Sequence, residues 1–407
     1  MKDDLVSLAV GLLKIPTDNP PGRNCREFTM FVTEWLSETG LDVETIEVPK
    51  ERLKELTPSV ELPRFHAVST LKGSKGSPRL YLHGHYDTVP VCAGWKKDPF
   101  NPTVEKDRLY GLGASDMKGG ITAMMIAAKA LVECDAKLVG DLVITTTGDE
   151  EANLEAGVSF LLKQNLLSKA EYAIVGEPTG VSNIMVGMKG AIFGSITVTG
   201  KSAHGSVPSK GINAFEKIAR IVVAIEDQLK LKLKRRVSMY PFVPKESGSP
   251  TLMLGGTVKI GGKSAASMVP GQCIISFDRR LIPEEKVDDA QREIAELLED
   301  LKREDPELKV EMKVRFAAPP PPVTSKDSKI CQVLGKAVKT VTCIDPTFAI
   351  SSGGNESNLF QEYAKAQTVV CGPGVEHMCH SPDEYTLISQ ILMAAKIYAL
   401  TALELLT

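Results

Sequence analysis

The sequence predicts an α/β protein, in which a domain built on a mostly parallel sheet is interrupted by an inserted α+β, ferredoxin-like unit. Three observations carry this. Apolar strand-like runs alternate with amphipathic helical runs through the first part of the chain. After Pro178 the texture changes, and "IMVGMKGAIFGSITVTGKSAH" reads as two strands with no helix between them. After "AAPPPPVTS" (317–325), a stiff linker, long core-forming helical runs return. The predicted boundaries are 1–183 and 317–407 for the two segments of the first domain and 184–316 for the insertion. A length of 407 residues fits two domains.

The elements follow in order. Residues 1–15 place Leu5, Leu8, Leu12 and Ile15 on one helical face. "DNPPGR" is a turn-rich loop, and "REFTMFVTEWLSETG" is a second amphipathic helix closed by Gly40. "LDVETIEV" and "PRLYLHGHYD" read as strands. "GGITAMMIAAKALVECD" is an apolar helix, "GDLVITTTGDEE" a buried strand ending in acids, "AGVSFLLKQNLL" a helix and "EYAIVGEPT" a strand. In the insertion, "NAFEKIARIVVAIEDQL" and "KVDDAQREIAELLEDLKRED" are helices. "TLMLGGTVKIGG", "GQCIISFDRRLI" and "LKVEMKVRF" join the earlier strands to make a unit like a split βαβ. "KICQVLGKAVKTV" and "YTLISQILMAAKIYALTALELL" are the returning helices.

Composition narrows the function. A net charge of −3 argues against a nucleic-acid partner or an anionic membrane surface. No run is read as long and apolar enough to cross a bilayer, and the N-terminus lacks the features of a secretion signal. Eight cysteines without a regular spacing suit reduced thiols, hence a cytoplasmic location.

The chemistry sits at strand ends. The chain has six His, and His83 and His85 lie two apart at the end of "RLYLHGHYD". Residues two apart in a strand face one side, so His83, His85 and Asp87 share a face if the strand extends that far. Asp116 precedes a helix in "GLGASDMKGG"; Glu150 and Glu151 follow one apolar run, and Glu177 follows another. Ligands of open α/β sheets bind outside the carboxyl ends of the strands. Acids gathered on one rim repel one another unless cations neutralise them. His380, in "HMCHSPDE", adds an imidazole. Two His and several carboxylates without paired Cys suit zinc, cobalt or manganese. His85 is then a ligand and Asp87 the carboxylate behind its ring. His83 reads as packing or as a support just behind the ligands, His66, near a strand start after Arg64 and Phe65, as structural, and His377 as beside the site rather than in it.

Together "HGHYDTVP", "GLGASDMKGG", "GDEE", "GEPT", "GKSAHGSVP" and "HSPDE", in that order, resemble the dinuclear zinc family of aminoacylases, acetylornithine deacetylases and succinyl-diaminopimelate desuccinylases. The resemblance runs from about Thr17 to the C-terminus. It implies two divalent ions, one on His85 and Glu177, the other on Glu151 and His380, with Asp116 bridging them. It implies that Asp87 orients His85, that Glu150 is the general base, and that His204 contacts the oxyanion from the insertion, a lid that also dimerises. Arg280 matches a contact to the substrate carboxylate, and Gly353 and Gly354 match a turn lining that pocket. It further implies a cis peptide after Asp116. "SSGGNESNLF" has no Arg near the glycine turn, unlike the desuccinylases.

The expectation is a cytoplasmic homodimeric metal-dependent hydrolase that cleaves the amide of an N-acyl amino acid, of the acetylornithine deacetylase kind. A dipeptidase or glutamate-type carboxypeptidase on the same scaffold is the alternative. A catalytically inactive metal-binding protein is a third reading, which the presence of Glu150 disfavours.

Overall fold

A computed structural model describes residues 2–57, 62–152, 155–261 and 267–407. The chain forms two compact units. The first comprises Met1–Val186, Thr324–Phe348 and Asn355–Thr407; the second comprises Gly187–Val323 and Ala349–Gly354.

In the first unit six strands run side by side in the order Asp42–Glu47, Phe65–Leu71, Asp141–Thr147, Arg79–His85, Tyr172–Val175 and Gln367–Val370. The first two pair antiparallel with their neighbours, while the last four are mutually parallel. The parallel strands are apolar because both of their faces are covered. Leu80, Leu82, Leu142, Ile144, Ala173 and Ile174 are all fully buried. The helix Gly119–Glu133 is buried on nearly every side, and Ile388–Leu406 packs against it and against Lys329–Thr342. Ile388–Leu406, contrary to the sequence reading, is apolar and long enough to cross a membrane by length and composition. Half of it is buried within the protein, the behaviour of a core helix. Leu5, Leu8, Leu12 and Ile15 of the first helical face are buried as expected.

This topology brings the carboxyl ends of three adjacent strands to one rim. Arg79–His85 ends in His85; Asp141–Thr147 leads into residues 148–151, and Tyr172–Val175 into Glu177. The strand stops at His85, so Asp87 lies in the loop beyond it. The sequence reading marks only the start of Phe65–Leu71 and misses the short helix Lys50–Leu56 and the hairpin Thr103–Glu105 with Arg108–Tyr110.

The second unit is a four-stranded antiparallel sheet ordered Thr251–Gly261, Gln272–Leu281, Gly190–Thr199, Lys309–Ala318. Gly262, the last residue of the strand expected there, lies outside the described residues. The helices Ala214–Ala224 and Val287–Glu304 pack onto this sheet through one apolar cluster. In chain order the unit is strand, helix, two strands, helix, strand, as a split βαβ requires. Asn213 caps the first helix by accepting the amides of Phe215 and Glu216. The second helix buries Ala290, Ile294, Leu297 and Leu298 and turns its charges outward.

His66 is structural. Its ring is fully buried, and Nε2 lies 2.7 Å from the Ala156 carbonyl, which it reaches as an N–H donor in the neutral tautomer. Burial lowers its pKa to about 4, with Arg64 adding to the shift and the Ala156 bond opposing it. The folded value lies below the unfolded one, so the stability from neutral His66 is complete above pH 6.5 and is lost as pH falls toward 4. The loss amounts to about 3 kcal/mol at most. Urea unfolding at pH 7 and at pH 4 should show a smaller drop for His66→Gln than for the parent chain; equal drops would contradict the assignment.

Candidate active site

The loop after each strand places its acid for an identifiable reason. Asp87 is buried and accepts the backbone amides of Glu150 (3.3 Å to Oδ1) and Glu151 (3.2 Å to Oδ2). These bonds fix the backbone of the two adjacent acids. The Nδ1 of His85 lies 3.0 Å from the Asp87 carbonyl and 3.5 Å from its carboxylate, so Asp87 holds the ring mainly through its main chain. Asp116 lies in a turn before the helix Gly119–Glu133, with non-helical backbone at Asp116 and Met117. The Asp116–Met117 peptide is cis, as the resemblance implies. Glu384 accepts the amides of Gly113 (3.0 Å), Ser115 (2.8 Å) and Asp116 (3.1 Å), tying that turn to the segment that carries His380.

Asp116 stands between two imidazoles. Its Oδ1 is 3.2 Å from His85 Nε2, and its Oδ2 is 3.4 Å from His380 Nε2. Glu177 Oε1 is 3.4 Å from His85 Nε2, and Glu151 Oε2 is 3.0 Å from His380 Nε2. His85, Asp116 and Glu177 form one donor group, and Asp116, Glu151 and His380 form another, with donor atoms within 4.8 Å of one another in each. Nitrogen and carboxylate oxygen donors at this spacing fit divalent transition metals. Glu150 belongs to neither group.

The electrostatics express the crowding. Burial raises Glu150 well above the ordinary carboxylate range; His85 opposes the shift, and Glu177, Glu356 and Glu151 add to it. Burial likewise lifts Glu177 to about 7, against His85, with Asp116 and Glu356 adding to the rise. Asp116 moves the other way, because hydrogen bonds from His380 and His85 outweigh its burial. Hydrogen bonds to Asp116 and Glu151 raise His380 to about 10. The cluster concentrates negative charge that protons or cations must balance.

The remaining predicted residues belong to the second unit. His204 is exposed, with Nδ1 2.7 Å from the Ser206 hydroxyl. Arg280 donates twice to Asp278, at 2.8 and 3.1 Å, and its guanidinium lies 5.1 Å from the Phe193 ring centroid. Gly353 and Gly354 border open space, with nothing within 4 Å of where a Cβ would stand. His377 joins neither donor group. His83 is fully buried between Thr145 (2.8 Å) and Glu356 (2.6 Å), with its ring against Phe360. Asn19, Arg64, Asp149, Glu356 and Glu384 are the residues around the site that sequence reasoning missed. Asn19 lies in "DNPPGR", Asp149 in "GDEE", Glu356 in "SSGGNESNLF" and Glu384 in "HSPDE", so four of them stood inside quoted stretches.

The chain is similar to known proteins across most of its length. It is 31% identical over 366 residues to an acetylornithine deacetylase of Aliivibrio salmonicida, covering 88% of this chain and 86% of that one. It is 31% identical over 381 residues to an acetylornithine deacetylase of Aliivibrio fischeri, covering 92% and 90%. In fold it resembles an M20 family metallo-carboxypeptidase of Sulfolobus solfataricus, with TM-score 0.76, 21% identity and 99% of both chains covered. Human carnosine dipeptidase 1 gives TM-score 0.75 and 19% identity, covering 99% of this chain and 96% of that one. A dinuclear metal binding peptidase from the M20 family of Bacillus subtilis gives TM-score 0.69 and 15% identity, covering 100% and 98%. The family model for peptidase family M20/M25/M40 matches residues 81–404, a span holding every residue of both donor groups. The chain therefore belongs to peptidase family M20/M25/M40 and is a metal-dependent hydrolase of amide bonds.

Proposed function

We propose that the chain removes the acyl group from an N-acyl amino acid, with N-acetylornithine as the best single substrate. The observation that carries this reading is a pair of donor groups sharing Asp116, with Glu150 in neither but next to Glu151 in the chain and within electrostatic reach of His85 and Glu177. The acetylornithine deacetylases at 31% identity support the substrate class. His85 and Glu177 would hold one ion, Glu151 and His380 the other, and Asp116 both. Imidazole and carboxylate donors without thiolate suit zinc, with cobalt or manganese as substitutes. When bound, such ions polarise the amide carbonyl and bring the pKa of water toward ~7.

The side chains then divide the work. Glu150 takes the proton of the attacking water and delivers it to the leaving amine nitrogen as the C–N bond breaks. Asp87 fixes the His85 ring and, through the amides of Glu150 and Glu151, the two acids. His204 supplies a donor to the oxyanion. Arg280 and the Gly353–Gly354 turn receive the substrate carboxylate, with Asp278 yielding part of its bidentate pair. The second unit serves as the homodimer contact, a role supported by Phe215, Val223 and Leu231 exposed along one helical stretch and by Met253 and Ile260 on the edge strand. The cytoplasm suits eight cysteines that are all unpaired.

The test is a panel of N-acetyl, N-succinyl and N-formyl amino acids together with dipeptides and glutamate-terminated peptides, each assayed with zinc, cobalt and manganese. N-acetylornithine should give the highest kcat/KM. A dipeptide turned over faster than any N-acyl amino acid would overturn the substrate assignment.

A further inference from the structure

The loop "DNPPG" takes no part in the chemistry above, yet its Asn19 reaches beneath the site. The Nδ2 of Asn19 donates to Asp87 Oδ2 (3.0 Å) and to Asp149 Oδ1 (2.8 Å). Its Oδ1 accepts from an Arg64 Nη at 3.2 Å. Arg64 Nε donates to Asp149 Oδ1 at 2.5 Å, and the other Nη donates to the Leu62 carbonyl at 2.9 Å. Asn19, Arg64, Asp87 and Asp149 are each 1% exposed or less. A guanidinium is hard to bury, and this one is held by donating to three acceptors. The loop closes tightly over it: at Gly22, with φ +80, a Cβ would stand 2.4 Å from Arg64 Cζ.

Asp149 immediately precedes the two working acids and adopts φ 75, in the left-handed region that non-glycine residues seldom occupy. That turn sends the chain from the end of the strand Asp141–Thr147 to where the amides of Glu150 and Glu151 reach Asp87. One side of this turn is thus tied to Asp87, and Arg64 and Asn19 hold the other through the Asp149 carboxylate.

We propose that Arg64 is a positioning residue for the reaction: by clamping Asp149 directly, and Asp87 through Asn19, it sets the backbone that aims Glu150 at the water and Glu151 at the ion. A planar fork is needed, because one ammonium on a flexible stem cannot meet Asp149, Asn19 and Leu62 together in this geometry. The inference rests on the roles proposed for Glu150 and Glu151, and the experiment separates the two.

The full chain, loaded with cobalt(II), is assayed on N-acetylornithine as the parent, Arg64→Lys, Asp149→Asn, the double variant combining these two, Arg64→Ala and Glu150→Gln. Melting temperature, kcat, KM and the visible cobalt spectrum are read for each. Arg64→Lys and Asp149→Asn should each lower kcat by about 10–100-fold, the scale of lost outer partners at metal sites, with KM little changed and the cobalt spectrum altered through Glu151. The double variant should be scarcely worse than either single one, since both break the same clamp. Added guanidinium should restore part of the kcat of Arg64→Ala. If one variant fails to fold, the other still decides. Both single variants keeping the parent kcat and cobalt spectrum, with only a lowered melting temperature, would overturn the proposal. An active Glu150→Gln control would instead sink the underlying reading of the two acids.

Discussion

Replacing Glu150 by Gln is expected to lower kcat by ~100-fold or more while leaving the metal content of the protein nearly unchanged. Gln keeps the size and shape of the side chain but cannot accept the proton of the attacking water. Glu150 lies outside both donor groups, so its replacement should leave metal binding intact. Its neighbour should behave in the opposite way. Glu151 stands 3.0 Å from His380 Nε2 within the second group, so Glu151→Gln should lose metal first and activity as a consequence. Excess zinc or cobalt should therefore rescue Glu151→Gln in part and Glu150→Gln not at all. Metal analysis after dialysis, paired with turnover at rising metal concentration, distinguishes the two. Identical behaviour would refute the division of labour between them.

Asp116 carries the second large effect. Its two oxygens face different imidazoles, at 3.2 and 3.4 Å, and it is the one residue common to both donor groups among the described residues. Asp116→Asn keeps one oxygen and removes the charge. Both ions should then bind more weakly, with activity falling by about 100-fold or more, beyond the scale of losing an outer partner. Glu177→Gln and His380→Asn should each weaken one ion only. Metal per chain, measured across the three variants at limiting zinc, should fall furthest for Asp116→Asn. Loss of a single ion in Asp116→Asn would show that the residue does not bridge.

The fold was legible where burial imposes a simple pattern. The strands Arg79–His85 and Asp141–Thr147 are apolar runs because the sheet is covered on both faces, and the acids after them stood out against that background. The helix Val287–Glu304 was legible because one face alone is buried. Lys50–Leu56 buries only Leu53, so it has no apolar stripe to read. The strand Phe65–Leu71 buries His66 and Ser69, which blurs its pattern, and the hairpin strands of three residues are too short to show a period. The motifs that carry His85, Asp116, Glu151, Glu177 and His380 could be read in the sequence, and the structure gathers these five into the two donor groups. Their supporting partners could not, because Arg64 meets Asp149 across 85 residues and Glu384 meets Gly113 across 271. Such pairs exist only once the chain has folded, and nothing in local composition marks them. His83 shows the limit of a short motif: two from His85 on the same strand, it is engaged by Glu356 and Thr145 instead.

The central claim, that this cluster of imidazoles and carboxylates hydrolyses an amide with two ions, is tested most directly by titration of the metal-free chain. Protein stripped by chelation receives zinc or cobalt in fractional equivalents, and acetate release from N-acetylornithine is followed at each step. The expected course is no turnover without metal and a rise that saturates once both donor groups are filled, in step with the metal bound. Full turnover by the stripped protein, or metal binding at both groups with no hydrolysis of any N-acyl amino acid or peptide, would contradict it.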